Sequence, residues 1–184
     1  MVQIVESPVQ DLESYARVPM KVHVSSRLDL TALSKNEFIE IPVAPWIKDY
    51  DSVEPIIHLR ARFNTEHWRM MKAFAGEELV GGAVIAWNTP ELDMLESRND
   101  LSVLWDIRVS PDFQRQGVGR ALFAAAAHWS GEMGCIEMRV ETQDVNVSAC
   151  RFYRAMGCKL HSIETNAYPE LDEAKLLWSL DLTY

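Results

Sequence analysis

Positive charge is scarce in this chain. Lys plus Arg number 18 against 27 Asp plus Glu, a formal net charge of −9. Proteins that bind nucleic acid or anionic membranes nonspecifically carry the opposite excess, so neither partner is expected. Long apolar runs are also lacking. The stretch Ala121–Ala127 falls far short of the roughly 20 residues that cross a bilayer. Met1–Glu13 has no basic region followed by an apolar one, so no signal peptide is expected. Cysteine is limited to Cys135, Cys150 and Cys158. An odd count with no CxxC pair and no zinc spacing predicts reduced thiols, a cytoplasmic location and no metal. There is no internal repeat, low-complexity tract or linker.

What remains is the composition of a folded globular protein. The chain has 184 residues, 48% hydrophobic and 24% charged, enough for one domain with a sizeable core and too few for two ordinary ones. Residues 1–65 are irregular in pattern, whereas 68–182 alternate between clear periods. In the first part, Pro8–Ala16 predicts a short helix. Val22–Leu28 and the run around Phe38, Ile41 and Val43 predict strands. Asp51, Ser52 and Pro55 precede Ile56, Leu59 and Phe63 at helical spacing, which predicts a helix near 53–62.

The second part opens with a hairpin, Trp68–Ala75 and Leu79–Trp87, around Gly76-Glu77-Glu78. Leu101–Val109 predicts a strand with Val103, Trp105, Ile107 and Val109 on one face. From Gly117 the period changes: Val118, Ala121, Leu122, Ala125 and Trp129 mark one helical face. Residues 135–143 alternate as a strand. Ala149, Phe152, Tyr153 and Met156 mark a second helix ended by Gly157, and 159–166 and 175–181 close with two strands. This order predicts an α/β chain with a mixed sheet and a right-handed β-α-β crossover.

The most informative stretch is Asp106–Arg120. A strand ends, seven residues intervene, and Gly117 and Gly119 open a helix. A helix N-terminus leaves amide groups unpaired and carries partial positive charge, so it favours phosphate. Arg115 and Arg120 add charge locally. The dinucleotide fingerprint fails, since its third glycine position is Leu122 and the loop is too long. A P-loop fails for want of Gly-Lys-Ser/Thr. No GxSxG elbow supports a serine triad.

The pattern that fits is Gln114-Arg115-Gln116-Gly117-Val118-Gly119. It resembles the pyrophosphate loop of the GCN5-related N-acetyltransferases, the GNAT superfamily. Downstream, Asn146, Ala149, Tyr153 and Gly157 match the superfamily in order and spacing, with Gly157-Cys158 replacing the usual Gly-Phe. Glu141-Thr142-Gln143 and Trp46–Asp51 are most similar to the streptothricin acetyltransferase branch. The resemblance implies a single GNAT domain over 1–184, with 1–65 a variable acceptor-side region and 68–182 the acetyl-CoA-binding core. It implies a mainly antiparallel sheet with helices on both faces. Strands 101–109 and 135–143 would form a splayed parallel pair.

The resemblance also implies roles. Acetyl-CoA is the cosubstrate, held by Gln114, Arg115, Gln116, Gly117, Val118, Gly119 and Arg120, by main-chain groups around Ile107 and Val109, and by Asn146. Tyr153 would protonate the departing thiolate; a tyrosine pKa of about 10 against about 8.5 for a thiol makes the transfer mildly uphill. Tyr153 also reads as a core tyrosine on an apolar stripe, and Asn146 as a helix N-cap. Glu141 would take the acceptor's proton, with Asp106 the competing carboxylate. Attack would be direct, so no cysteine is needed. The expected acceptor is a primary amine of a small cationic molecule of streptothricin or aminoglycoside type, with a peptide or protein N-terminus as the runner-up and a non-catalytic CoA-binding or sensing module as the reading from another class. A homodimer is admitted. Trp46, Tyr50, Trp68, Trp87, Trp105 and Tyr168 are candidates to line an acceptor cleft or the core.

Overall fold

The structure is a computed structural model that describes residues 2–183. Along the chain run β1 (Val2–Pro8), α1 (Leu12–Tyr15), β2 (Lys21–Leu28), α2 (Leu30–Ser34), β3 (Glu40–Asp49), α3 (Tyr50–Val53) and α4 (Leu59–Arg62). There follow β4 (Arg69–Ala75), β5 (Glu78–Trp87), β6 (Leu101–Val109), α5 (Val118–Glu132), β7 (Glu137–Gln143), α6 (Val147–Ala155), β8 (Lys159–Glu164) and β9 (Lys175–Asp181). The fold class is α/β with mainly antiparallel strand pairing, as the sequence implies. The chain divides into two compact units. One comprises Met1–Met20, Tyr50–Met138 and Asp181–Tyr184, and the other Lys21–Asp49 and Arg139–Leu180.

In the first unit, β1, β4, β5 and β6 pair antiparallel in that order. The strand β1 was not anticipated; its register runs from Val2 opposite Ala75 to Pro8 opposite Arg69. Helices cover both faces of this sheet. On one, Tyr15 of α1 lies over Gly82, where an added Cβ would stand 2.5 Å from the ring. On the other, Leu122 of α5 lies against Gly81, 3.4 Å from its would-be Cβ. The core on the Tyr15 face gathers Leu12, Trp68, Met70, Val84, Ala86, Leu101 and Val103. Phe63, Trp68 and Trp105 pack as an aromatic trio with centroids 5.3–5.7 Å apart.

Several expectations are corrected. The helix near 53–62 is broken into α3, a 3₁₀ turn at Ile56–His58 and α4. Pro55, extended at φ −60° and ψ 125°, lacks an amide hydrogen and bars helix at the preceding residue. The helix expected over Pro8–Ala16 shrinks to α1, because β1 extends through Pro8 and Asp11 takes a left-handed φ of 55°. The buried stripe of α5 is Val118, Leu122, Phe123, Ala126, Trp129 and Ser130, so Ala121 faces out. The buried residues of α6 are Val147, Cys150 and Tyr153. Periodicity among alanines is a weak guide, since exposing an alanine costs little.

The strand face of β6 is also corrected. Leu104 pairs with Ile85 and Asp106 with Val84, so Trp105 is passed over by a bulge. One extra residue reverses which side each later side chain takes. Asp106 and Arg108 therefore join the buried Tyr15 face, while Ile107 and Val109 turn to the α5 face and are half-buried.

In the second unit, β2 and β3 form one hairpin and β8 and β9 another, both antiparallel. Asp29 caps α2 by accepting from the amides of Thr31 and Ala32 at 2.8 and 3.0 Å.

Candidate active site

The loop after β6 is held by its own hydrogen bonds. Ser110 donates to Val80 O at 2.8 Å, and Pro111–Phe113 form a 3₁₀ turn. The side chains of Gln114 and Gln116 brace the loop, donating to Val109 O at 3.1 Å and Asp112 O at 2.7 Å. Arg115 and Gly117 take left-handed φ values of 58° and 87°. Gly117 is the N-cap of the 15-residue α5 and supplies no side-chain cap. The amides of Val118, Gly119 and Arg120 lie in the first turn, where no intrahelical acceptor exists. Arg115 and Arg120 are exposed beside them. Unpaired amides at a helix start with a backbone lining are chemically suited to an anion.

Asp106 stands in a buried ion-pair network. Arg108 grips it with both Nε and Nη2, at 2.9 and 2.6 Å. The Tyr15 hydroxyl donates to the same carboxylate at 2.6 Å. Arg108 Nη1 also donates to Val18 O at 3.0 Å and to Asp51 Oδ1 at 2.9 Å. Burial opposes the guanidinium charge, but Asp106, Tyr15 and Asp51 outweigh it and raise the Arg108 pKa above its ordinary value. Burial, then the Asp106 charge, push the Tyr15 hydroxyl well above 10. Sequence reasoning missed Tyr15 and Arg108. The only signal was an aspartate and an arginine two apart in an apolar strand.

In the second unit, Glu141 is half-buried on β7 and accepts from the Tyr168 hydroxyl at 2.5 Å. Asn146 is the N-cap of α6 and accepts from the Ala149 amide at 3.2 Å. The Asn146 amide donates to Gln143 O at 2.9 Å, which ties the start of α6 to the end of β7. Tyr153 is buried on α6, with its ring 5.5 Å from that of Phe152. The candidate residues thus fall in two groups: Asp106, Ile107, Val109 and Gln114–Arg120 in the first unit, and Glu141, Asn146 and Tyr153 in the second.

The three cysteines are buried and unbridged. Burial pushes Cys135 up to about 11, and Cys150 and Cys158 up to about 12. Thiols so raised are poor nucleophiles at neutral pH. Among the described residues there is no group of three or more His, Cys, Asp or Glu able to hold a metal ion. No helix among them is long and apolar enough to cross a membrane. His128 is exposed and pairs with Glu132 at 3.6 Å. Of the candidate aromatics, Trp68 is core, donating to Thr89 Oγ1 at 2.6 Å, whereas Trp46 is exposed.

Comparison with known proteins decides the family. Residues 35–158 match the profile of the Acetyltransferase (GNAT) family. The chain belongs to that family. Streptothricin acetyltransferase A of Bacillus subtilis is 34% identical over 83 residues, covering 44% of this chain and 48% of the relative. The matched part therefore spans about half that relative's length. A streptothricin acetyltransferase of Escherichia coli is 29% identical over 140 residues, 74% of this chain and 71% of the other. The GNAT fold is shared across nearly the whole chain. A nourseothricin acetyltransferase superposes with a TM-score of 0.75 at 23% identity, covering 99% of each chain. A Bacillus anthracis protein solved with acetyl coenzyme A superposes with a TM-score of 0.78 at 24% identity, covering 98% of each.

Proposed function

We propose that this GNAT chain acts over residues 1–184 as an acetyl-CoA-dependent N-acetyltransferase. Its acceptor would be a primary amine on a small cationic molecule of streptothricin or aminoglycoside type. The observation that carries the reading is the start of α5. Gly117 caps the helix in a left-handed conformation with no side chain, and Gln114 and Gln116 are turned onto the loop's own carbonyls. That leaves backbone amides and the exposed Arg115 and Arg120 to receive a pyrophosphate.

Acetyl-CoA, when bound, supplies an acetyl group activated as a thioester. Its pyrophosphate would be held by Gln114–Arg120, and its pantetheine arm by backbone groups around Ile107 and Val109 and by Asn146. Glu141 takes a proton from the acceptor ammonium, directly or through one water. The freed amine is the nucleophile. The Tyr153 hydroxyl gives a proton to the departing thiolate. Holding both reactants supplies much of the rate by proximity. The raised thiol pKa values support direct transfer without a cysteine intermediate. Asp106 is reserved for structure, because Arg108 and Tyr15 occupy both of its oxygens.

The net charge of −9 favours approach of a cationic acceptor, and the streptothricin acetyltransferase relatives point the same way. A peptide amine is the competing acceptor. It is favoured by the ribosomal protein bS18-alanine N-acetyltransferase of E. coli, 34% identical over 73 residues. The test is thiol release from acetyl-CoA with streptothricin, an aminoglycoside, a polyamine and an alanine-initiated peptide. Streptothricin is expected to be fastest. A peptide preference transfers the function to protein N-termini, and no release with any amine leaves a CoA-binding module.

A further inference from the structure

Glu141 and Gln143 stand two residues apart on β7, so their side chains leave the strand on the same side. One phenol bridges them. The Tyr168 hydroxyl donates to Glu141 Oε1 at 2.5 Å and accepts from Gln143 Nε2 at 2.9 Å. The first contact has the length of a charge-assisted O–H···O⁻ bond, about twice as strong as a neutral one. The second directs the hydroxyl: with Gln143 donating to its oxygen, the phenol's hydrogen is left for the carboxylate.

Tyr168 lies in the connection 165–174 between β8 and β9, which has no helix or strand of its own. Such a segment stays ordered only if other residues hold it. Here they do. The Leu171 amide closes a turn on Tyr168 O at 3.0 Å. The Ala174 amide donates to Oδ1 of the fully buried Asp144 at 2.8 Å. Arg27 of β2 bridges Asp144 and Asp172, with bonds of 2.7 and 2.9 Å. Lys48 of β3 pairs with Glu173, both buried. Buried ion pairs add little net stability over apolar packing of the same volume, and their best-attested value is in fixing one arrangement. The arrangement fixed here presents one tyrosine to one glutamate.

We infer that Tyr168 is a positioning residue for Glu141, holding Oε1 so that Oε2 is the oxygen that meets the acceptor's ammonium. The inference rests on Glu141 being the base. It adds a residue that acts through that carboxylate and touches neither acceptor nor acetyl-CoA. Removing the hydroxyl leaves the ring in place and lets the carboxylate turn away. Misplacing a reacting group by about 1 Å costs up to roughly 100-fold in rate.

The test is a double-mutant cycle on Glu141→Gln and Tyr168→Phe. The probe is streptothricin or, if it is not accepted, the amine with fastest thiol release in the panel above. Circular dichroism checks that each variant is folded. Tyr168→Phe is expected to lower kcat roughly 10- to 100-fold with the KM for acetyl-CoA unchanged. The double variant is expected to be no slower than Glu141→Gln, because Tyr168 acts only through Glu141. Multiplying losses would mean that Tyr168 acts on the acceptor itself and would overturn the inference. So would a wild-type rate in Tyr168→Phe beside a slow Glu141→Gln. A wild-type rate in Glu141→Gln defeats the base assignment first. Absence of turnover with every amine defeats the proposed function, and this role with it.

Discussion

The hydroxyl of Tyr15 donates a 2.6 Å hydrogen bond to Asp106, 91 residues further along the chain. The tyrosine is completely buried, and the carboxylate it meets also holds both forks of Arg108. This network ties α1 to the end of β6, just before the loop that opens α5.

Stability should depend on that network unequally. Tyr15→Phe deletes one buried bond to a charged group and should cost about 1.5–3 kcal/mol. Asp106→Ala strands a buried guanidinium and should cost about 3–5 kcal/mol. Urea unfolding measures both. Equal losses would mean that leaving Arg108 without its carboxylate adds no cost. The tyrosine should also leave a signature in alkali. Its folded pKa lies well above 10, so above about pH 10 the unfolded chain loses a proton that the folded one keeps. Stability contributed below that pH is lost as pH rises, and Tyr15→Phe should flatten the decline.

Two glycines should fail for different reasons. A Cβ on Gly82 would stand 2.5 Å from the Tyr15 ring and 2.7 Å from Met71 O. Gly82→Ala should therefore cost about 1–3 kcal/mol by overpacking. A Cβ on Gly117 would meet nothing within 4 Å, but φ is +87°. Gly117→Ala should cost about 1–2 kcal/mol from backbone strain alone. A compensating Tyr15→Leu should relieve part of the first loss and none of the second.

Ligand binding tests the start of α5. Gly119→Asp puts bulk and negative charge into its first turn. Calorimetry should show acetyl-CoA binding weakened at least roughly 10-fold, and the thermal shift on adding acetyl-CoA should shrink accordingly. Unchanged binding would remove the phosphate assignment from this loop.

Tyr153→Phe should keep the fold and acetyl-CoA affinity while lowering kcat roughly 100-fold, the usual loss when a general acid is removed. Equal turnover across the pH range would return Tyr153 to the core. Cys135, Cys150 and Cys158 should resist iodoacetamide in the native protein. Mass spectrometry of the native protein should find all three unmodified, and the unfolded protein should react at each.

Glu141→Gln should lower kcat/KM most at low pH, where the acceptor is ammonium and free amine is scarce. The deficit should shrink as pH approaches the amine's own pKa of about 10. If Glu141 only attracts the cation, the loss will sit in the acceptor KM and persist until the amine loses its charge. Asp106→Asn is the control. A pH-rescuable rate loss there, with Glu141→Gln near wild type, would transfer the role.

Much of this was legible one residue at a time. The glycine loop, Asn146 as N-cap and the boundaries of β6 and β9 depend on neighbours within a few positions. Phosphate-binding geometry at a helix start is equally local, so Gly117 could be singled out before any fold was known. Two departures have separate causes. Pro55 breaks a helix that its flanking apolar spacing supports, and the faces of α5 and α6 lie among alanines and half-buried aromatics that discriminate weakly.

The chain's pattern by itself determined the order of elements from β4 to β9 and pointed to the family, because period, capping and glycine conformation are short-range properties. Only the tertiary structure decided what the candidate residues face. Whether Trp105 is skipped depends on how β6 registers against β5, and that single bulge buries Asp106 and Arg108 against Tyr15. Whether Glu141 has a partner depends on a tyrosine 27 residues away, held in an irregular segment by Arg27 and Lys48. Contacts closed over such distances leave no periodic trace, because each is set by loop path and strand register rather than by its sequence neighbours.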